Sequence, residues 1–185
     1  MPGVEADAVV LDDIGGAYRG TKAMLEAGHT RVAYLGNVTS VFTGQRRFEG
    51  YERALAEHGI PVDPELVRRG QQDVATASAA MHELLDLAHP PTAVFSANNR
   101  NTIGALEEIG ARIRNRSAVP LPAIVSFDDF ELADMMPVPV TVIDHEPREL
   151  GREAARLLFA RLLDPTAIDP AHQIEMPTQL RIARA

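Results

Sequence analysis

The sequence predicts an α/β fold, a mostly parallel sheet flanked by helices, and three observations predict it. Short apolar runs recur along the chain at residues 9–11, 32–35, 92–95, 123–125 and 140–143. Between them lie segments whose apolar residues repeat at helical spacing. Carboxylates or amides stand where several runs end: Asp12-Asp13, Asn98-Asn99 and Asp128-Asp129. Strands alternating with helices make βαβ units, and those units place their strands parallel.

Taken in order, residues 9–11 form a first short strand. Ala17, Thr21, Met24 and Leu25 then share one helical face, and Gly28 is a natural left-handed stop. Residues 32–35 read as a buried strand, followed by a loop of small polar residues at 36–44. Phe48, Tyr51 and Leu55 mark a helix ending at Gly59. Pro61 and Pro64 interrupt the chain before a weaker strand at 65–67. Ala77, Met81, Leu84, Leu85 and Ala88 give a third helix, closed by His89-Pro90-Pro91. After the strand at 92–95, Ile103, Leu106 and Ile109 predict a short helix stopped by Gly110. Residues 111–122, with three arginines and two prolines, read as an exposed loop. A strand at 123–125 runs into Asp128-Asp129, and Pro137 and Pro139 precede the strand at 140–143. Pro147 suits a first helical position. Leu150, Ala154, Leu157, Leu158 and Leu162 form a stripe ended by Asp164-Pro165, and strand-like pieces at 173–176 and 179–182 close the chain. The first strand has no earlier strand to pair with, so the sequence reads as cut at its front.

Composition narrows the function classes. With 185 residues, 45% of them hydrophobic, the chain can bury an ordinary core. Its net charge of −8 argues against nucleic-acid binding by these residues, because phosphate contacts need clustered Lys and Arg. The absence of cysteine removes disulfides, thiolate catalysis and zinc–thiolate sites. No leader pattern and no apolar run of membrane-spanning length is visible, so a cytoplasmic protein without a membrane partner is expected.

In open α/β sheets ligands sit outside the carboxyl ends of the strands. Asp128 is placed there, and Asp128-Asp129 suits a ligand hook or a helix cap, with a catalytic pair or a metal site as the other readings. None of the six histidines has metal-site spacing with these acids, so no metal is expected. Asp12-Asp13 and Asn98-Asn99 suit helix caps, and an Asn amide also suits a sugar hydroxyl. Arg46 and Arg47 fall in a predicted first helical turn, where a cation opposes the helix dipole and so suggests a function. Neither GxxxxGK[ST], GxGxxG nor GxSxG occurs, so no cofactor is expected and an enzyme reading lacks a second catalytic group.

Several segments in register resemble one family, the LacI/GalR transcriptional regulators. Asp12-Asp13-Ile14-Gly15-Gly16-Ala17 resembles D-N-x-x-G-A, and Gly28-His29-Thr30-Arg31-Val32-Ala33 resembles G-H-x-x-I-A. Arg47-Phe48-Glu49-Gly50-Tyr51 matches R-x-x-G-Y. Pro91-Thr92-Ala93-Val94-Phe95 with Ala97-Asn98-Asn99 and Gly104-Ala105-Leu106 resembles P-T-A-I-F-x-x-N-D-x-x-x-G-A-L. Phe127-Asp128-Asp129 resembles the G-F-D-D turn, Val140-Thr141-Val142-Ile143 the L-T-T-V strand, and Leu150-Gly151-Arg152-Glu153-Ala154-Ala155 the closing helix. The match runs in order over residues 9–184. Asn99, Asp13 and Ser126 depart from the family pattern.

The resemblance implies a periplasmic-binding-protein-like (type I) effector domain, two α/β lobes clamping a small molecule, with one lobe nearly complete and the other partial. It implies residues 1–28 as a remnant of the N-terminal lobe and 29–136 as the C-terminal lobe. Residues 137–165 would then return to the N-terminal lobe, and 166–185 would supply closing strands of the C-terminal lobe. The implied ligand residues are Arg47 and Asp128, then Asn98 and Ser40, then Asp12. Gln72 stands near the place where the family often puts a stacking ring. The implied function is sensing of a sugar or nucleoside by a homodimeric repressor, without catalysis, with operator DNA reached only through an N-terminal domain absent from this sequence. A periplasmic-type sugar-binding protein for transport and an α/β enzyme are the alternatives.

Overall fold

The computed structural model describes residues 6–130, 138–163 and 170–182. Strand β1 (Ala8–Leu11) leads directly into helix α1 (Asp13–Glu26), whose N-terminus is capped by Asp12 accepting from the Gly15 amide at 2.8 Å. Gly28, at φ 93°, reverses the chain into β2 (Val32–Gly36). Helix α2 (Phe42–Glu57) follows, then β3 (Val67–Arg69), α3 (Val74–Leu85), β4 (Ala93–Ser96), α4 (Asn99–Arg114) and β5 (Ala123–Phe127). Beyond these come β6 (Val140–Asp144), α5 (Pro147–Leu163), β7 (Gln173–Met176) and β8 (Gln179–Arg181).

Six strands form one sheet in the order β3-β2-β4-β5-β6-β8, parallel throughout except for β8. Alternation along each strand sends its apolar residues to two faces. Tyr34, Phe95, Val125 and Phe127 meet Ala17, Met24, Tyr51 and Leu55 of α1 and α2 on one face. Leu35, Val94, Ile124 and Val142 meet Ala77, Met81, Leu84 and Ile109 of α3 and α4 on the other. Burial on both faces explains why these strands read as unbroken apolar runs. Strands β1 and β7 form a separate two-stranded parallel sheet, and α5 packs against β1.

Two elements differ from the sequence reading in their placement. Residues 12–27 and 140–165 were expected with the N-terminal lobe. Instead α1 packs along α2 on the large sheet, and β6 hydrogen-bonds β5 with Ile124 opposite Val140. The apolar face of α1 and the two buried faces of β6 find partners only on that sheet. The closing strands also divide, β7 pairing with β1 and β8 with β6. The expected boundary at residues 136 and 137 and the stop at Asp164-Pro165 lie outside the described residues.

Helix α4 runs past Gly110 to Arg114, where a stop and an exposed loop were expected. Arg112 holds the added turn: it is buried and reaches Glu108 and Asp86, each at 2.7 Å. A single glycine costs a helix only about 1 kcal/mol, so those ties outweigh it. On α5 only Leu157 of the expected stripe is buried, while Leu158, Phe159, Leu162 and Leu163 are exposed.

Candidate functional site

The parallel order of β2 to β6 brings their carboxyl ends to one edge, and the chain leaves that edge in loops that carry most of the predicted site. Arg47 is the centre. It lies in the second turn of α2, not the first, because the helix starts at Phe42. Its guanidinium is buried and bound on three sides. Nε donates to Asp13 Oδ1 at 2.7 Å, and Nη1 donates to the Ala97 carbonyl at 2.7 Å and to Asp128 Oδ2 at 3.2 Å. The Phe127 ring lies beneath it, 3.7 Å from the guanidinium carbon. One side chain thus ties α1, α2, the end of β4 and the end of β5 together.

Its charge partners differ. Asp13 is almost fully buried, and burial pushes its carboxyl above the ordinary value while Arg47 pulls it back. Asp128 keeps a quarter of its side chain exposed. Its backbone sits at φ 69°, a left-handed turn that Asp tolerates better than most residues. The turn is held from both sides, by the Asp128 amide on the Ile143 carbonyl at 3.0 Å and by Ser126 Oγ on the Asp128 carbonyl at 2.9 Å.

Two groups of this pair are left open. No hydrogen bond among the described residues uses Nη2 of Arg47. The nearest group to Asp128 Oδ1 is His145 Nδ1 at 3.7 Å, too long for a hydrogen bond. A planar double donor beside a free carboxylate oxygen matches adjacent hydroxyls of a polyol, or a purine edge.

Of the other predicted residues, Asn98 adjoins Arg47 through the Ala97 carbonyl. Its Oδ1 caps α4 by accepting from the Asn101 amide at 2.8 Å, and its Nδ2 donates to Asn37 Oδ1 at 2.6 Å. Asn98→Ala is therefore expected to cost about 1 kcal/mol of stability by chemical denaturation, apart from any effect on ligand. Asp12 caps α1 and pairs with Arg19 at 3.1 Å, so its carboxylate is already engaged. Ser40 and Gln72 lie exposed on loops at the same edge, and neither side chain hydrogen-bonds Arg47 or Asp128. Asp13 and Asn37 were not predicted, and neither was His145. The Asp12-Asp13 doublet was a signal for the first, since only one of two adjacent acids can cap the helix. Nothing local marks the other two.

The chain crosses between the two sheets at three described points: Asp12, His145-Glu146 and Pro177-Thr178. Arg19 links the first to the third, because its Nη2 donates to Thr178 Oγ1 at 2.6 Å. Beside the crossings lies a cavity of about 190 Å³ lined by Leu11, Asp144, His145, Glu149, Met176 and Gln179 among others. No group of three or more metal-ligating side chains occurs among the described residues, and no described helix is long and apolar enough to cross a membrane.

Residues 21–184 match the profile of the periplasmic binding protein-like domain. The chain is 33% identical to the HTH-type transcriptional regulator CelR of Thermobifida fusca over 166 residues, 90% of this chain and 48% of that protein. It superposes on a transcriptional regulator CelR–cellobiose complex with a TM-score of 0.86 at 31% identity, covering 99% of this chain and 55% of that one. It also superposes on a LacI family regulator from Enterococcus faecium with bound ribose, with a TM-score of 0.82 at 25% identity, covering 97% and 65%. The chain spans about half the length of the curated relatives it matches. It belongs to the periplasmic binding protein-like domain family, in the form carried by LacI-type transcriptional regulators.

Proposed function

We propose that this chain is the effector-binding portion of a LacI/GalR-like regulator, and that it holds a small sugar or nucleoside at the edge formed by Arg47, Asp128 and Asn98. The observation that carries this reading is the open donor at Arg47 Nη2 beside the open acceptor at Asp128 Oδ1. The six-stranded body is one lobe, and β1, β7 and α5 belong to the other, with the ligand between them near the three crossings. Ser40 and Gln72 reach the ligand only from the rim, and Asp12 acts through the first crossing. Relatives whose titles name cellobiose and ribose support a sugar.

In the whole protein, a ligand that fits one arrangement of the lobes better shifts the population toward it, and a homodimer passes that shift to operator-binding domains. No cofactor takes part, and the setting is the cytoplasm. A thermal-shift screen against cellobiose, ribose, purines and nucleosides tests the reading. A ligand at 100 times its Kd adds about 2.7 kcal/mol of stability, a clear rise in Tm. Asp128→Ala is expected to weaken the hit ten- to a hundredfold, the worth of about one charged hydrogen bond. A hit that Asp128→Ala leaves unchanged places the ligand elsewhere, and turnover of the sugar overturns the sensor reading.

A further inference from the structure

Arg69 ends β3, the strand at the margin of the large sheet, and its side chain is only partly exposed. The other described arginines that are at least partly buried, Arg19, Arg31, Arg46, Arg47, Arg68, Arg112 and Arg161, each have a carboxylate within 3.3 Å. Arg69 has none among the described residues. Acids are not scarce, since Asp and Glu outnumber Lys and Arg by 26 to 18. Its Nε is buried and without a hydrogen-bond partner, and so is Oε1 of Gln71, two residues on. A guanidinium that gives up part of its hydration without gaining an anion loses free energy unless a partner arrives.

The position is fixed rather than loose. The guanidinium carbon lies 4.4 Å from the centre of the Phe48 ring, which in turn meets Tyr34 edge-on at 4.9 Å. Gly70, at φ 124°, turns the chain directly after Arg69, and the Gly70 and Gln71 amides both donate to the Gly36 carbonyl, at 3.1 and 3.2 Å. A side chain at position 70 would strain that turn. The buried Tyr34 ring feels the charges of Arg69, Arg47 and Asp13 together, so Arg69 stands within electrostatic reach of the proposed ligand site. Its own place at the carboxyl end of β3 puts it on the same edge of the sheet.

We infer that Arg69 anchors an oxyanion subsite at this edge, taking the phosphate or carboxylate of an acidic sugar whose hydroxyls engage Arg47 and Asp128. The identity of the carrier rests on the sugar-sensing reading; the anion subsite itself does not. A guanidinium held flat against a ring keeps its outer N–H groups in the fork that matches two oxygens of a phosphate or carboxylate.

Two measurements on the full chain separate these points. In the first, the Nε–Hε resonance of Arg69, identified by its loss in Arg69→Gln, is followed while inorganic phosphate replaces chloride at constant ionic strength. A saturable shift of that resonance, without matching shifts at exposed Arg53 and Arg100, is expected. An unmoved resonance, or one that drifts with every other arginine, overturns the subsite and leaves Arg69 its ring contact alone. In the second, calorimetry compares ribose, ribose 5-phosphate and glucuronate. At least one of the two anions is expected to bind about tenfold more tightly than ribose, with Arg69→Gln abolishing the gain and leaving ribose affinity and Tm unchanged. Which anion gains identifies phosphate or carboxylate as the group read. Equal affinities for all three, or a gain that survives Arg69→Gln, overturns the proposal. If no sugar binds, the sensing reading fails while the phosphate titration still decides the subsite.

Discussion

Arg47→Ala is expected to lower the stability of the folded chain by about 3–5 kcal/mol, read as a fall in the urea midpoint. The reason is Asp13, whose side chain is 2% exposed and whose main partner is the Arg47 Nε at 2.7 Å. Removing the arginine leaves a buried carboxylate with no countercharge, which costs far more than the net worth of the pair. The loss also frees the Ala97 carbonyl and takes the flat cation off the Phe127 ring.

The pH dependence follows from the direction of the Asp13 shift, which is upward through burial. A carboxyl whose folded pKa exceeds its unfolded value favours folding most where it is protonated, below the unfolded value of 3.8, and loses that contribution as pH rises through the folded value. Arg47 opposes this rise, so its removal raises the Asp13 pKa further. The deficit of Arg47→Ala is therefore expected to narrow as pH falls from neutral toward the unfolded value. Arg47→Met combined with Asp13→Asn removes both charges and is expected to recover part of the loss. A deficit that neither shrinks in acid nor responds to Asp13→Asn would show that packing, not charge, holds this junction.

The second large effect belongs to Gly50. A Cβ there would meet the Ile14 carbonyl at 2.3 Å, the Ala17 Cβ at 2.8 Å and the Tyr18 amide nitrogen at 2.9 Å. Two of these are backbone atoms of α1, which cannot rotate away. Gly50→Ala must push α1 and α2 apart, and overpacking of this kind costs about 1–3 kcal/mol or more, despite the roughly 1 kcal/mol that alanine adds to helix propensity. The same displacement stretches the Arg47–Asp13 contact, because Asp13 rides on α1 and Arg47 on α2. Stability and effector affinity are thus expected to fall together, in thermal unfolding and in ligand titration. Gly151, on α5, is the control: a Cβ there meets nothing within 4 Å, and Gly151→Ala is expected to stabilise by up to about 1 kcal/mol. Equal effects at the two glycines would remove the close helix crossing as the cause.

What the sequence settled by itself was the part written in local pattern. Strands such as residues 32–35 and 123–125 are buried on both faces, so continuous apolar runs announced them, and the asparagine and aspartate caps at Asn98 and Asp12 followed from the helices they start. Conserved spacing was not needed for Arg47 and Asp128 to stand out, since the carboxyl edge of a parallel sheet collects whatever follows each strand. Tertiary structure alone decided which charges meet. Asp13, 34 residues before Arg47, and Asp128, 81 residues after it, reach the same guanidinium only because β5 lies two strands from β2 and α1 packs on α2. It likewise decided that β6 joins the large sheet, that β7 leaves it for β1, and that Arg69 has no acid beside it. Apolar periodicity says that a segment has a face to bury; which surface buries it, and which charges are thereby brought together or left apart, is fixed only by the packed whole.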